Sequence, residues 1–93
     1  MNKKENEVMD ILQEEAAEVI QAVSKIRRFG IDNSKMGTGQ TNLEHLEEEL
    51  GDMLAMIDIL LELGIVQSSA LEEAKQNKKY KLKKWSTIYD AVE

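Results

Sequence analysis

Two acidic pairs share one internal spacing, Glu15 with Glu18 in LQEEAAEVIQA and Glu49 with Asp52 in LEEELGDMLAM. On a helix at 100° per residue, Glu15 has Val8, Ile11, Val19, Ala22 and Ile26 within about 40° of it. Asp52 likewise has Met56, Ile59 and Leu63 within about 40°, with Glu49 and Leu60 close beyond. An ordinary solvated acidic face would stand opposite the apolar residues. A carboxylate buried without a partner takes up a proton or finds a cation, because its desolvation costs several kcal/mol. Residues three apart on a helix have Cβ atoms about 5–6 Å apart, so each pair can clamp one ion or bridge two. Four converging carboxylates, no cysteine, and one histidine, His45, outside both pairs point to a hard ion. Mg²⁺ is expected, with Mn²⁺ the alternative, and zinc is disfavoured.

These pairs need two facing helices to bring them together. A first helix is expected from about Glu5 to Arg28, closed by Gly30, with Arg27 and Arg28 favouring the negative end of its dipole. Phe29 to Gln40 is glycine-rich and longer than a simple helical hairpin requires, and such extra length often carries ligand contacts. Thr41 with Glu44 forms a capping box for a second helix ending near Leu63, before Gly64. Ser69 with Glu72 repeats that signature for a third helix to about Lys84. Trp85, Ile88, Tyr89 and Val92 then fall at i, i+3, i+4 and i+7, as an amphipathic helix or an extension of the third. The second helix is apolar around more than half its circumference from Leu50 to Leu63, more than one neighbour can cover. The expected fold is therefore all-α, a bundle of three main helices per chain completed by dimerisation.

Ninety-three residues make a single domain, 1–93, near the small end of what folds alone. With 42% hydrophobic but 4% aromatic residues and no proline, the core is built from aliphatic side chains on long helices. No cysteine means no disulfide framework. The start MNKKENEVMD lacks a signal-peptide apolar region and no apolar run reaches the roughly 20 residues of a membrane span, so a cytoplasmic location and no membrane partner are expected. The formal charge of −6 argues against a nucleic acid polymer as partner. Base nevertheless gathers at Lys25, Arg27 and Arg28 and again from Lys75 to Lys84, an arrangement suited to a small polyanion accompanied by divalent ions.

At the pairing of EEAAE (Glu14 to Glu18) with EELGD (Glu48 to Asp52), the chain resembles the MazG-like all-α nucleoside triphosphate pyrophosphohydrolases, whose hallmark is EExxE followed after a spacer by ExxD. The resemblance extends over most of the chain, with Lys75, Asn77 and Lys79 the nearest matches to a basic pattern on the third helix. It implies Mg²⁺-dependent hydrolysis of a nucleotide between the α and β phosphates to a monophosphate and pyrophosphate, in a homodimer or dimer of dimers. Lysines stand where many relatives have an arginine after the asparagine, and lysine offers a point charge in place of a bidentate fork.

The residues carry this chemistry in their own right, since phosphoanhydride hydrolysis needs charge neutralisation and an activated water. Glu15, Glu18, Glu49 and Asp52 are the expected metal ligands. Glu14 and Glu48, at the margins of the stripes, suit holding the water or acting as base. Lys25 and Arg28 are candidates for phosphate contact, though dipole complementation explains their charge equally well. Lys75, Asn77 and Lys79 follow as substrate contacts from the resemblance. His45 is read as a packed or substrate-edge histidine in preference to a metal ligand, and Trp85 and Tyr89 as packing residues in preference to base-stacking ones. Two other readings stay open, a phosphoribosyl-ATP pyrophosphatase and a noncatalytic helical interaction module. Base and sugar preference are not encoded in these motifs.

Overall fold

The computed structural model describes residues 1–34 and 38–91. Three helices account for most of it, α1 (Lys3–Phe29), α2 (Asn42–Glu62) and α3 (Ser68–Trp85), so the fold is all-α. Among the described residues the sole strand-like feature is an isolated antiparallel bridge between Ser34 and Thr41. No helix among the described residues is long and apolar enough to cross a membrane.

Local chemistry sets the helix ends. The Asn2 side chain accepts from the Glu5 N–H at 2.8 Å while the Glu5 carboxylate accepts from the Asn2 N–H at 3.0 Å, a capping box. It starts α1 two residues before the expected Glu5. At the other end Gly30 has φ 91°, a left-handed backbone that glycine adopts without a Cβ clash, and its N–H donates to Ile26 O at 2.8 Å. The capping box expected at α2 is present: Glu44 N–H donates to Thr41 Oγ1, and the Thr41 N–H donates to Glu44 Oε1, each at 3.1 Å. These hydrogen bonds, from the backbone first and the hydroxyl second, hold the Glu44 carboxyl below the usual carboxylate range.

Two expectations near the C-terminal end are corrected. Gln67 occupies the N-cap of α3 and makes no side-chain cap bond, so the Ser69–Glu72 signature is not a capping box. Glu72 instead accepts from Gln76 and pairs with Lys75, one turn along the same helix. The segment after Trp85 is also not helical. Ser86 caps α3 in an extended conformation and Asp90 N–H closes a turn onto Thr87 O at 2.9 Å. Val92, the last position of the amphipathic spacing, lies outside the described residues.

The chain divides into two compact units, Met1–Leu60 and Leu61–Glu93. In the first, α1 and α2 run antiparallel, since Glu15 meets Glu49 and Asp52 in mid-helix while the end of α1 meets the start of α2. Val8, Ala22, Met56 and Leu60 form its core, and Ala22 is wholly buried. These are residues of the two apolar stripes read from the sequence. This unit also carries exposed apolar residues, with Ile20 69% and Leu54 61% exposed and Leu43 and Leu50 also open. In the second unit no residue of α3 is buried.

The hairpin connection is fixed by polar contacts around the buried Asn42. Asn42 is buried, its side-chain amide donates to Gly30 O at 2.9 Å, and its N–H donates to Asn33 O at 2.8 Å; Leu43 N–H donates to Ile31 O at 3.1 Å. Replacing Asn42 by alanine leaves the Gly30 carbonyl without this donor, and loss of a hydrogen bond whose acceptor can turn to water costs about 0.5–1.5 kcal/mol. Urea unfolding followed by helical circular dichroism should show Asn42→Ala destabilised within that range, and an unchanged midpoint would mean the connection does not depend on it.

Candidate functional site

Glu15 of α1 and Glu49 and Asp52 of α2 bring carboxylate oxygens within 4.8 Å of one another. Each residue is delivered by its helix stripe, so the cluster follows from how Val8 and Ala22 on α1 and Met56 and Leu60 on α2 pack. Burial is graded across it. Glu49 is buried at 8% exposure, Glu15 is half-buried, and Asp52 is exposed. The expectation that Asp52 lies buried is therefore corrected: it stands at the open edge of the stripe.

Desolvation, and then the negative charges of Asp52, Glu49, Glu18 and Glu14, in that order, push the Glu15 carboxyl above its ordinary value. Three like-charged groups at this spacing repel one another, and a cation relieves that. The donor set suits a hard dication. Ions of the Mg²⁺ type take oxygen ligands of this kind, carboxylates above all. Glu15, Glu49 and Asp52 are the residues able to hold it.

The other expected site residues fall into groups. Glu18 is exposed and outside the three-carboxylate cluster, one turn along α1 from Glu15. Glu14 is exposed, while Glu48 accepts from Gln40 Nε2 at 2.8 Å. The Arg28 guanidinium lies 4.9 Å above the Phe29 ring. Lys75 is engaged with Glu72 at 2.7 Å, and Asn77 and Lys79 are exposed on α3. Trp85 and Tyr89 are exposed within the chain, with Lys84 and Lys83 over their respective rings.

A cleft of about 550 Å³ opens where the end of α1, the connection and the start of α2 meet, lined by Lys25, Phe29, Asn33, Gln40, Asn42 and His45 among others. His45 joins it to the carboxylates, its Nε2 lying 3.3 Å from Glu49 Oε1. Sequence reasoning assigned no role to Phe29, Asn33, Gln40 or Asn42. The signals available were the unusual length of the connection and the polar residues flanking Thr41.

A carboxyl with a raised folded-state pKa keeps its proton in the native state after the unfolded chain has released it. Above the ordinary glutamate value of about 4.5 the metal-free protein therefore loses stability as pH rises through the raised Glu15 pKa. Melting temperature measured in EDTA from pH 4 to 8 should fall less steeply for Glu15→Gln than for the wild-type chain over that window. Parallel curves would show that Glu15 feels no net repulsion.

A family model for the MazG nucleotide pyrophosphohydrolase domain matches residues 3–84. No curated protein and no solved structure matches the chain. The matched span takes in both acidic pairs, the carboxylate cluster they build, the cleft beside it and all of α3 except Trp85. On that match, and with the all-α architecture it requires, the chain belongs to the MazG nucleotide pyrophosphohydrolase family.

Proposed function

We propose that the chain, acting as one domain, hydrolyses (deoxy)nucleoside triphosphates between the α and β phosphates, with Mg²⁺ held by Glu15, Glu18, Glu49 and Asp52. The observation that supports this is the convergence of three carboxylates from two helices on an apolar stripe, where charge without a counterion is unfavourable. When bound, divalent ions neutralise phosphate oxygens and supply an activated water. Glu18, one turn from Glu15, extends the ligand set toward a second ion. Glu48, steadied by Gln40, and Glu14, at the margin of the α1 stripe, hold the water or take its proton. Lys25 contacts phosphate from the end of α1. Lys75, Asn77 and Lys79 are retained as phosphate contacts, and for Lys75 this role requires release from Glu72.

Pyrophosphate release should be measured across the common (deoxy)nucleoside triphosphates and phosphoribosyl-ATP. The expected products are monophosphate and pyrophosphate, with activity lost in EDTA and restored by Mg²⁺ or Mn²⁺. Orthophosphate as first product, or full activity in excess EDTA, overturns the reading. Asp52→Asn keeps the side-chain volume and removes a ligand charge. Its turnover should fall by more than the roughly 10–100-fold that loss of an outer-shell partner costs a metal site. Its melting temperature in EDTA should match or exceed wild type, because repulsion is relieved.

The open face marked by Leu43, Leu50 and Leu54 supports association of two or more chains, as a homodimer or a dimer of dimers. Light scattering at micromolar concentration should give at least twice the chain mass of 10.6 kDa. A stable monomer would require another explanation of that face.

A further inference from the structure

We propose that the cleft beside the carboxylates takes the nucleoside end of the substrate, and that Phe29, backed by Arg28, and Asn33 determine which base is preferred. This rests on the hydrolase reading above and deepens it. On α1, Glu15, Glu18, Ala22, Lys25 and Phe29 follow one another at intervals of 3, 4, 3 and 4, a single helix stripe. On α2, Asn42, His45, Glu49, Asp52 and Met56 repeat those intervals. Because the helices are antiparallel, both stripes carry carboxylates at one end and cleft residues at the other. Ala22, with no exposed surface, fills the middle and lets the helices approach closely. Lys25 lies seven residues beyond Glu18, and Asn42 seven before Glu49, which at 1.5 Å per residue is about 10 Å in each case. An extended nucleoside monophosphate spans about that distance from phosphorus to the far edge of its base. With the α-phosphate at the carboxylates, the base reaches the cleft.

The lining suits a base. Among the described residues no carboxylate lines the cleft, in contrast to the acidic cluster one to two turns away, and the volume lies within the range of small-molecule sites. Phe29 is 53% exposed and its ring is covered by the Arg28 guanidinium at 4.9 Å, which steadies it as a stacking surface. Gln40 and Asn42 each donate an amide hydrogen to a protein acceptor, Glu48 and Gly30 O, so both carboxamides are fixed in orientation. Asn33 is tied down through its backbone carbonyl and makes no side-chain hydrogen bond among the described residues. A carboxamide offers the paired donor and acceptor that a base edge presents. Arg28 thereby acts as a positioning residue through Phe29 and not as a phosphate ligand.

The test uses the full chain in two arms. In the first, each common 5′-nucleoside monophosphate and, separately, inorganic pyrophosphate is titrated into the metal-free protein while backbone amide resonances are followed. Saturable shifts at Phe29 and Asn33 with monophosphates and not with pyrophosphate are expected; their absence at millimolar concentration overturns the proposal whether or not any nucleotide is hydrolysed. In the second, KM and kcat are measured for Phe29→Leu, which keeps apolar bulk without an aromatic face, and for Asn33→Ala. Base stacking implies a KM about 5- to 150-fold higher for the favoured nucleotide in Phe29→Leu. Asn33→Ala should alter the order of base preference. The rise in melting temperature on adding Mg²⁺ should be unchanged in both, since neither side chain reaches the carboxylates. If nucleotides are hydrolysed while both variants keep wild-type KM and base order, the cleft is not the nucleoside site and the hydrolase reading still stands.

Discussion

Mutual repulsion among carboxylates held on an apolar helix face is the constraint on which the rest of this structure depends. Glu15, Glu49 and Asp52 would separate if each were free to seek water, and it is the packing of Val8, Ala22, Met56 and Leu60 that keeps them together. Hydrophobic burial is non-directional, but on two helices with a common 3-4 spacing it acts along a line. The acidic residues are carried into proximity because they share that line. Packing and electrostatics are in tension here: the arrangement that gathers these carboxylates also raises the Glu15 pKa, through desolvation first and the neighbouring charges second.

Register decides which acidic residues meet, and the connection between the helices sets it. The left-handed Gly30 turns the chain out of α1, and Asn42 fastens the start of α2 to that turn through side chain and backbone together. The cap formed by Thr41 and Glu44 then directs α2 back along α1. His45 and Glu49 follow one and two turns later, in contact with each other, so cleft and carboxylate cluster are parts of one continuous surface.

Much of this was legible in the sequence because it is periodic. The helical intervals placed Glu15 and Glu49 among aliphatic residues, Gly30 and Gly64 marked helix ends, and the Thr41–Glu44 box is where it was expected. What escaped was set by competition that spacing does not encode. Ser69 has the right partner three residues on, yet Glu72 is drawn to Lys75 and Gln76 on its own helix. The spacing from Trp85 to Tyr89 suggested a helix, but Ser86 adopts extended backbone and stops it. Asp52 shares a stripe with Glu49 and differs in exposure, because a wheel gives direction and not the distance to the nearest covering side chain. The cleft depends on the path of a non-periodic segment, so its lining residues carried no pattern to read.

The backbone bonds that tie Asn42 to Asn33 and Leu43 to Ile31 have a consequence for how such a chain can diversify. They tie the start of α2 directly to the residues that follow α1, so the pairing of the two helices is held at Ile31, Asn33, Asn42 and Leu43. An insertion within either helix would rotate one end of a stripe by 100° against the other and part the cleft from the carboxylates. The connection that borders the cleft is thus the one part of the α1–α2 hairpin whose length is not tied to the helical repeat that brings Glu15, Glu49 and Asp52 together.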